Sequence, residues 1–148
     1  MRLTHMGRLM LVLALVFTLG GCNSEWLHNR ERGERANTTY PPQYRSEIVA
    51  FMRTYLNDPT KVRDAYISAP TLRNVDSASR YSVCLRYNAR NSDGRYVGSR
   101  DNLVLFRDGR FDRLIDSRLD RGGGPDVARE LCKDAPYQRF PELEALTR

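Results

Sequence analysis

Apolar residues along this chain follow three regimes. Leu9 to Leu19 form an apolar run of eleven residues broken only by Thr18, behind a basic head of Arg2 and Arg8. Spanning a bilayer takes about 20 apolar residues, so this run predicts a short targeting segment and not a membrane helix. From Asn23 to Gln43 the sequence NSEWLHNRERGERANTTYPPQ is polar and without period, which predicts a flexible leash closed by Pro41 and Pro42. Periodicity returns at Tyr44. Ile48, Phe51, Met52, Tyr55 and Leu56 recur at helical spacing, predicting an amphipathic helix of about thirteen residues that Asn57, Asp58 and Pro59 stop. Asp58-Pro59 reads as the cap of a further turn through Arg63, and AYIS, Ala65 to Ser68, as a short strand ended by Pro70.

The clearest strand is RYSVCLRYNAR. Its alternation sends Tyr81, Val83, Leu85 and Tyr87 to one face and Ser82, Cys84, Arg86 and Asn88 to the other. NSDG, Asn91 to Gly94, is a turn, and NLVLF followed by RDGRFDRLI predicts a hairpin around Asp108-Gly109. Beyond Gly122, Gly123 and Gly124, Pro125 is suited to open a helix carrying Val127, Ala128 and Leu131 to Cys132, and PELEAL adds a last helical turn. The sum is an α+β domain over 44–148: a small antiparallel sheet of three to four strands, an N-terminal amphipathic helix and a C-terminal helix, braced by one disulfide. The first helix is expected on the more apolar face, and the helix bearing Cys132 on the Cys84 face or at the sheet edge.

The end of the apolar run, LGGC, resembles the lipobox of bacterial lipoprotein signals, with Gly20 and Gly21 directly before Cys22. The resemblance implies removal of residues 1–21, a lipidated tether over 22–43 and acyl chains on Cys22, enough for stable membrane attachment. Asn23 is not the aspartate that tends to hold such proteins at the inner membrane, which favours the outer membrane, facing the periplasm. With Cys22 given to lipid, an exported chain is expected to join its other two cysteines, Cys84 and Cys132. The mature chain carries 22 basic against 18 acidic side chains, a net +4, and nearly all its cations are arginine. Nucleic acid is excluded as a partner by the exported address. The leash, at up to about 3.3 Å per residue, reaches at most roughly 70 Å.

Across VCLRYNARNSDGRYVGSRDNLVLFRDGRFDR the chain resembles a family of small uncharacterised lipoproteins of alphaproteobacteria, at Cys84, Arg86, Tyr87, Asn88, Asn91, Gly94, Tyr96 and Gly98. That resemblance brings no activity, ligand or catalytic residue.

Candidate chemistry is sparse. His5 leaves with the signal and His28 lies in the leash, so the domain has no histidine for a Ser-His or Cys-His pair or a His-based metal site. Its aspartates mostly neighbour Gly or Arg at turns, where the carboxylate bonds local backbone. NARNSDG lacks the calcium-loop pattern, and DRGGGPD, which lacks the Lys-Ser/Thr of a phosphate loop, reads as a hinge. No catalytic residue, metal or cofactor is expected. What remains is a basic and aromatic patch at Arg86, Tyr87, Asn88, Arg90, Arg95, Tyr96 and Arg100, residue types suited to gripping carboxylate or phosphate. The expected function is therefore non-enzymatic: a membrane-tethered periplasmic domain that binds another envelope component, a protein, glycolipid or peptidoglycan. The alternative is an inhibitor of, or an enzyme acting on, cell-wall material. Lipoprotein inhibitors of lysozyme have a loosely similar Gly-x-Tyr loop, but a cationic chain is a poor match for a cationic enzyme.

Overall fold

The computed structural model describes residues 38–117 and 126–147. Cys22, the signal segment, the leash as far as residue 37, the three glycines and Pro125 lie outside the described residues. Helix α1 (Tyr44–Tyr55) precedes β1 (Asp58–Ile67), β2 (Thr71–Val75), β3 (Ala78–Arg90), β4 (Arg100–Arg107) and β5 (Arg110–Asp116); α2 (Val127–Cys132), β6 (Gln138–Arg139) and α3 (Pro141–Glu144) follow. The strands form one antiparallel sheet in the order β5-β4-β3-β1-β6, with β2 also paired to β3. The long β3 can hold two partners on one flank because β2 occupies its first half and β1 its second.

The expected α+β domain with three to four strands is thus corrected: the protein is mostly sheet, six strands with three short helices. Three physical features account for the difference. The proposed turn through Arg63 is instead the start of β1, and Pro59 is tolerated there because β6 pairs β1 only at Tyr66 and Ile67. Register shifts around Arg63 break the alternation of β1, and Asp64 adopts a left-handed φ of 52°. Its neighbour Ala65 donates its backbone N–H to Glu144 Oε1 at 2.9 Å. The β2–β3 hairpin turns on Asp76 and Ser77, both left-handed without glycine, so no Asn-Gly or Asp-Gly signal marks it. At the β4–β5 turn, Asp108 and Gly109 take the positive φ values that the hairpin requires.

Each sheet face has its own core. On one, Ile48 and Met52 of α1 pack with Val83, Leu85, Tyr87, Val104 and Phe106, joined by Phe140, Leu143 and Leu146 from the chain end. Glu47 fixes the angle of α1 by accepting the Phe111 N–H at 2.6 Å and pairing with Arg110, and Tyr55 donates its hydroxyl to buried Asp116 at 2.7 Å. On the other face, Cys84, Leu103, Leu105 and Val75 pack against Ala128 and Cys132 of α2. Asp126 caps α2 by accepting the Arg129 N–H. A helix of six residues is far too short to persist alone, and the Cys84–Cys132 disulfide, with Cα atoms 5.6 Å apart, fastens it to the sheet.

The folded part begins before Tyr44. Pro41 is fully buried, and Tyr40 meets Tyr81 edge-to-face with ring centroids 5.3 Å apart.

Candidate ligand-binding face

Helix α2 covers only the half of its sheet face near Cys84, Leu103 and Leu105. Further along β3 the same face presents Arg86, Asn88 and Arg90, because alternate residues of a strand share a side. Pairing then extends this row across the sheet. Arg139 of β6 stands opposite Tyr66 of β1, Tyr66 opposite Arg86 of β3, and Arg86 opposite Asp101 of β4. Arg63 stands opposite Asn88 in the next row.

The side chains interlock as cation–π pairs. Arg86 lies 4.4 Å from the Tyr137 ring centroid, Arg63 and Arg90 lie 4.3 and 5.3 Å from that of Tyr96, and Arg139 lies 5.4 Å from that of Tyr66. Asp101 organises the centre, accepting from Arg86 Nε at 2.8 Å and from the Tyr137 hydroxyl at 2.6 Å. Burial, reinforced by that donation to Asp101, pushes the Tyr137 phenol well above the ordinary tyrosine range, so it remains a donor at any physiological pH. The hydrogen bond to Asp101 likewise holds the Arg86 guanidinium even more firmly protonated. Tyr96 is fixed by donating its hydroxyl to the Lys61 carbonyl at 2.8 Å. Arg73, beside Tyr137, bonds Ser82 Oγ at 2.9 Å, and burial lowers its pKa.

This arrangement redistributes the patch read from the sequence. Arg86, Arg90 and Tyr96 belong to the face, and Asn88 supports it by accepting the Gly98 N–H at 3.2 Å. Tyr87 does not belong to it, since it points into the α1 core and is only 4% exposed. Arg95 extends from the turn beyond, its side chain 79% exposed beside Asp93. Arg100 lines an adjoining polar hollow of about 470 Å³, which shares Asp101 with the face and is completed by Ser99, Ser117, Asp126 and Arg129. In exchange the face gains Arg63, Arg139, Tyr66 and Tyr137. The outward position of Tyr66 between core residues Ala65 and Ile67 was a readable signal. Nothing local marks Tyr137 or Arg139, which arrive through the β1–β6 pairing.

Among the described residues, the four guanidiniums of these cation–π pairs, Arg63, Arg86, Arg90 and Arg139, meet the ion-paired carboxylates of Asp58 and Asp101, a surplus of two positive charges to which Arg73 beside Tyr137 adds a further cation. Asp58 lies 3.9 Å from Arg90. Among the described residues no carboxylate lies within ion-pair distance of Arg63 or Arg139. Also among the described residues, no group of three His, Cys, Asp or Glu is placed to hold a metal ion, and no helix is long and apolar enough to cross a membrane. Comparison of the chain with protein-family models, with curated proteins and with solved structures finds no match.

Proposed function

We propose that this protein is a lipid-anchored, non-enzymatic component of the bacterial envelope whose arginine–tyrosine face binds another envelope component. The observation that carries the reading is the face itself: four guanidiniums held against tyrosine rings on a rigid sheet, with a surplus of positive charge. Arginine so held gives up little conformational freedom on binding and retains its fork of donors for oxyanions. Attachment through Cys22, by a lipobox-like signal, supplies the address, and Asn23 in place of aspartate favours the outer over the inner membrane. A histidine-free domain favours binding over catalysis.

Site-specific photo-crosslinking in intact cells tests the reading. A photoreactive residue at Lys61, beside Tyr96, should give a discrete adduct, whereas the same residue at Arg53, exposed on α1, should not. Equal labelling from both positions, or none from Lys61, rejects the face as a binding surface.

A further inference from the structure

We infer that the partner of this face is the acidic glycopeptide of the cell wall, a sugar strand carrying peptide carboxylates, bound as an extended polymer; the inference rests on the proposed envelope-binding role. Spacing is the first argument. Neighbouring strands lie about 4.8 Å apart, so the backbone positions of Arg139 and Arg86, two strands apart in one row, are separated by about 10 Å. Arg63 sits in the adjacent row opposite Asn88, two positions along β3 from Arg86, or about 7 Å. Such a flat lattice of cations suits a ligand that repeats its negative charge at intervals along an extended chain. A single small anion would engage one corner of it.

Charge is the second argument. Arg86 and Arg90 already face Asp101 and Asp58, but Arg63 and Arg139 are held by aromatic rings and, among the described residues, by no carboxylate. These two guanidiniums are the ones ready to take carboxylates from outside, the geometry for which their planar forks are suited. Exposed ion pairs contribute little individually, so affinity must come from repetition along the polymer. The protein is therefore expected to bind soluble fragments weakly and an insoluble wall avidly. A bilayer is the less suitable surface, because interfacial binding needs apolar groups inserted beside the basic ones, and among the described residues the large exposed apolar side chains are Tyr40 and Leu72, away from this face on the β4–β5 turn side and on β2, and the single Val97 next to Tyr96.

The test is co-sedimentation of the full-length protein, in detergent, with purified wall sacculi. Three arms accompany it: sacculi whose carboxylates have been amidated, mixed micelles containing phosphatidylglycerol as competitor, and the double variants R63Q/R139Q and R53Q/R107Q. Native sacculi should retain the parent. Amidation or R63Q/R139Q should weaken retention about tenfold, as expected for loss of charge-assisted contacts, while R53Q/R107Q, on exposed positions outside the face, should leave it unchanged. Circular dichroism of both variants must match the parent, which is expected since none of the four residues holds an ion pair among the described residues. Retention insensitive to amidation, or abolished by the lipid micelles, overturns the glycopeptide assignment and leaves the crosslinking result at Lys61 standing. Retention of R63Q/R139Q equal to the parent overturns the role of these arginines. No retention of the parent overturns the inference outright.

Discussion

Reducing the Cys84–Cys132 bond is predicted to lower the melting temperature by about 15 to 20 °C without unfolding the domain at room temperature. The bond closes a loop with a sequence separation of 48. In the chain-entropy treatment, −2.1 − 1.5R ln n for a loop of this size gives roughly 14 cal/mol/K, or about 4 kcal/mol at 25 °C. The roughly 100 described residues unfold with an entropy of about 0.21 kcal/mol/K near the midpoint, and the ratio gives the predicted shift. Small domains are stable by about 5–15 kcal/mol in total, so the loss should leave a folded but weakened protein. Thermal unfolding followed by far-UV circular dichroism, with and without a reductant, is the cleaner assay. Substituting the cysteines would add a cavity contribution, because both side chains are fully buried. Hydrogen exchange adds a second readout: amides of α2 should lose protection before those of β3, since a six-residue helix has little stability of its own once unfastened. A shift below about 5 °C would show that the loop is already constrained in the unfolded state, and would refute the entropic reasoning.

Gly109→Ala should destabilise by about 1–2 kcal/mol in urea melts, because a Cβ there meets the Tyr40 carbonyl oxygen at 3.0 Å on a backbone with φ of +70°. Phe106→Ala, at a fully buried site, should cost about 3–5 kcal/mol by the same measurement. The raised pKa of Tyr137 means that the folded state keeps its proton where the unfolded chain loses it. Its contribution is therefore complete below the ordinary tyrosine value of 10.0 and declines as pH rises above it, so the parent's urea midpoint should fall more steeply between about pH 9.5 and 11.5 than that of Tyr137→Phe. Cys22→Ser should abolish incorporation of a fatty-acid probe, and persistent labelling would remove the proposed anchor.

Local pattern made some elements legible and left others hidden. The α1 stripe was readable because Ile48 and Met52 sit one turn apart on a single buried side. Strand β3 was readable because its alternation separates Val83 and Leu85 from Cys84, and that division places α1 and α2 on opposite faces. Pairing of Cys84 with Cys132, expected once Cys22 is set apart, appears in the structure. Strand β1 was hidden because its register shifts and the left-handed Asp64 erase the alternation. Strand β6, only two residues long, carries no period at all. The binding face was half visible for the same reason. A contiguous run exposes Arg86 and Tyr96, but Arg63, Tyr66, Tyr137 and Arg139 become neighbours only through strand register, a long-range property. Tyr87 neighbours Arg86 and Asn88 in sequence but belongs with the core, because the alternation of the strand sets it on the opposite side.

The seating of Tyr40 and Pro41 governs how the folded part would carry a mechanical load. Tension arriving along the chain from its amino-terminal side meets the clamp formed by Tyr40, Tyr81 and the Gly109 turn before it reaches α1. Force would then be shared with β3, the central strand, and with the β4–β5 hairpin on its flank, and the helix would not be peeled away from its first turn.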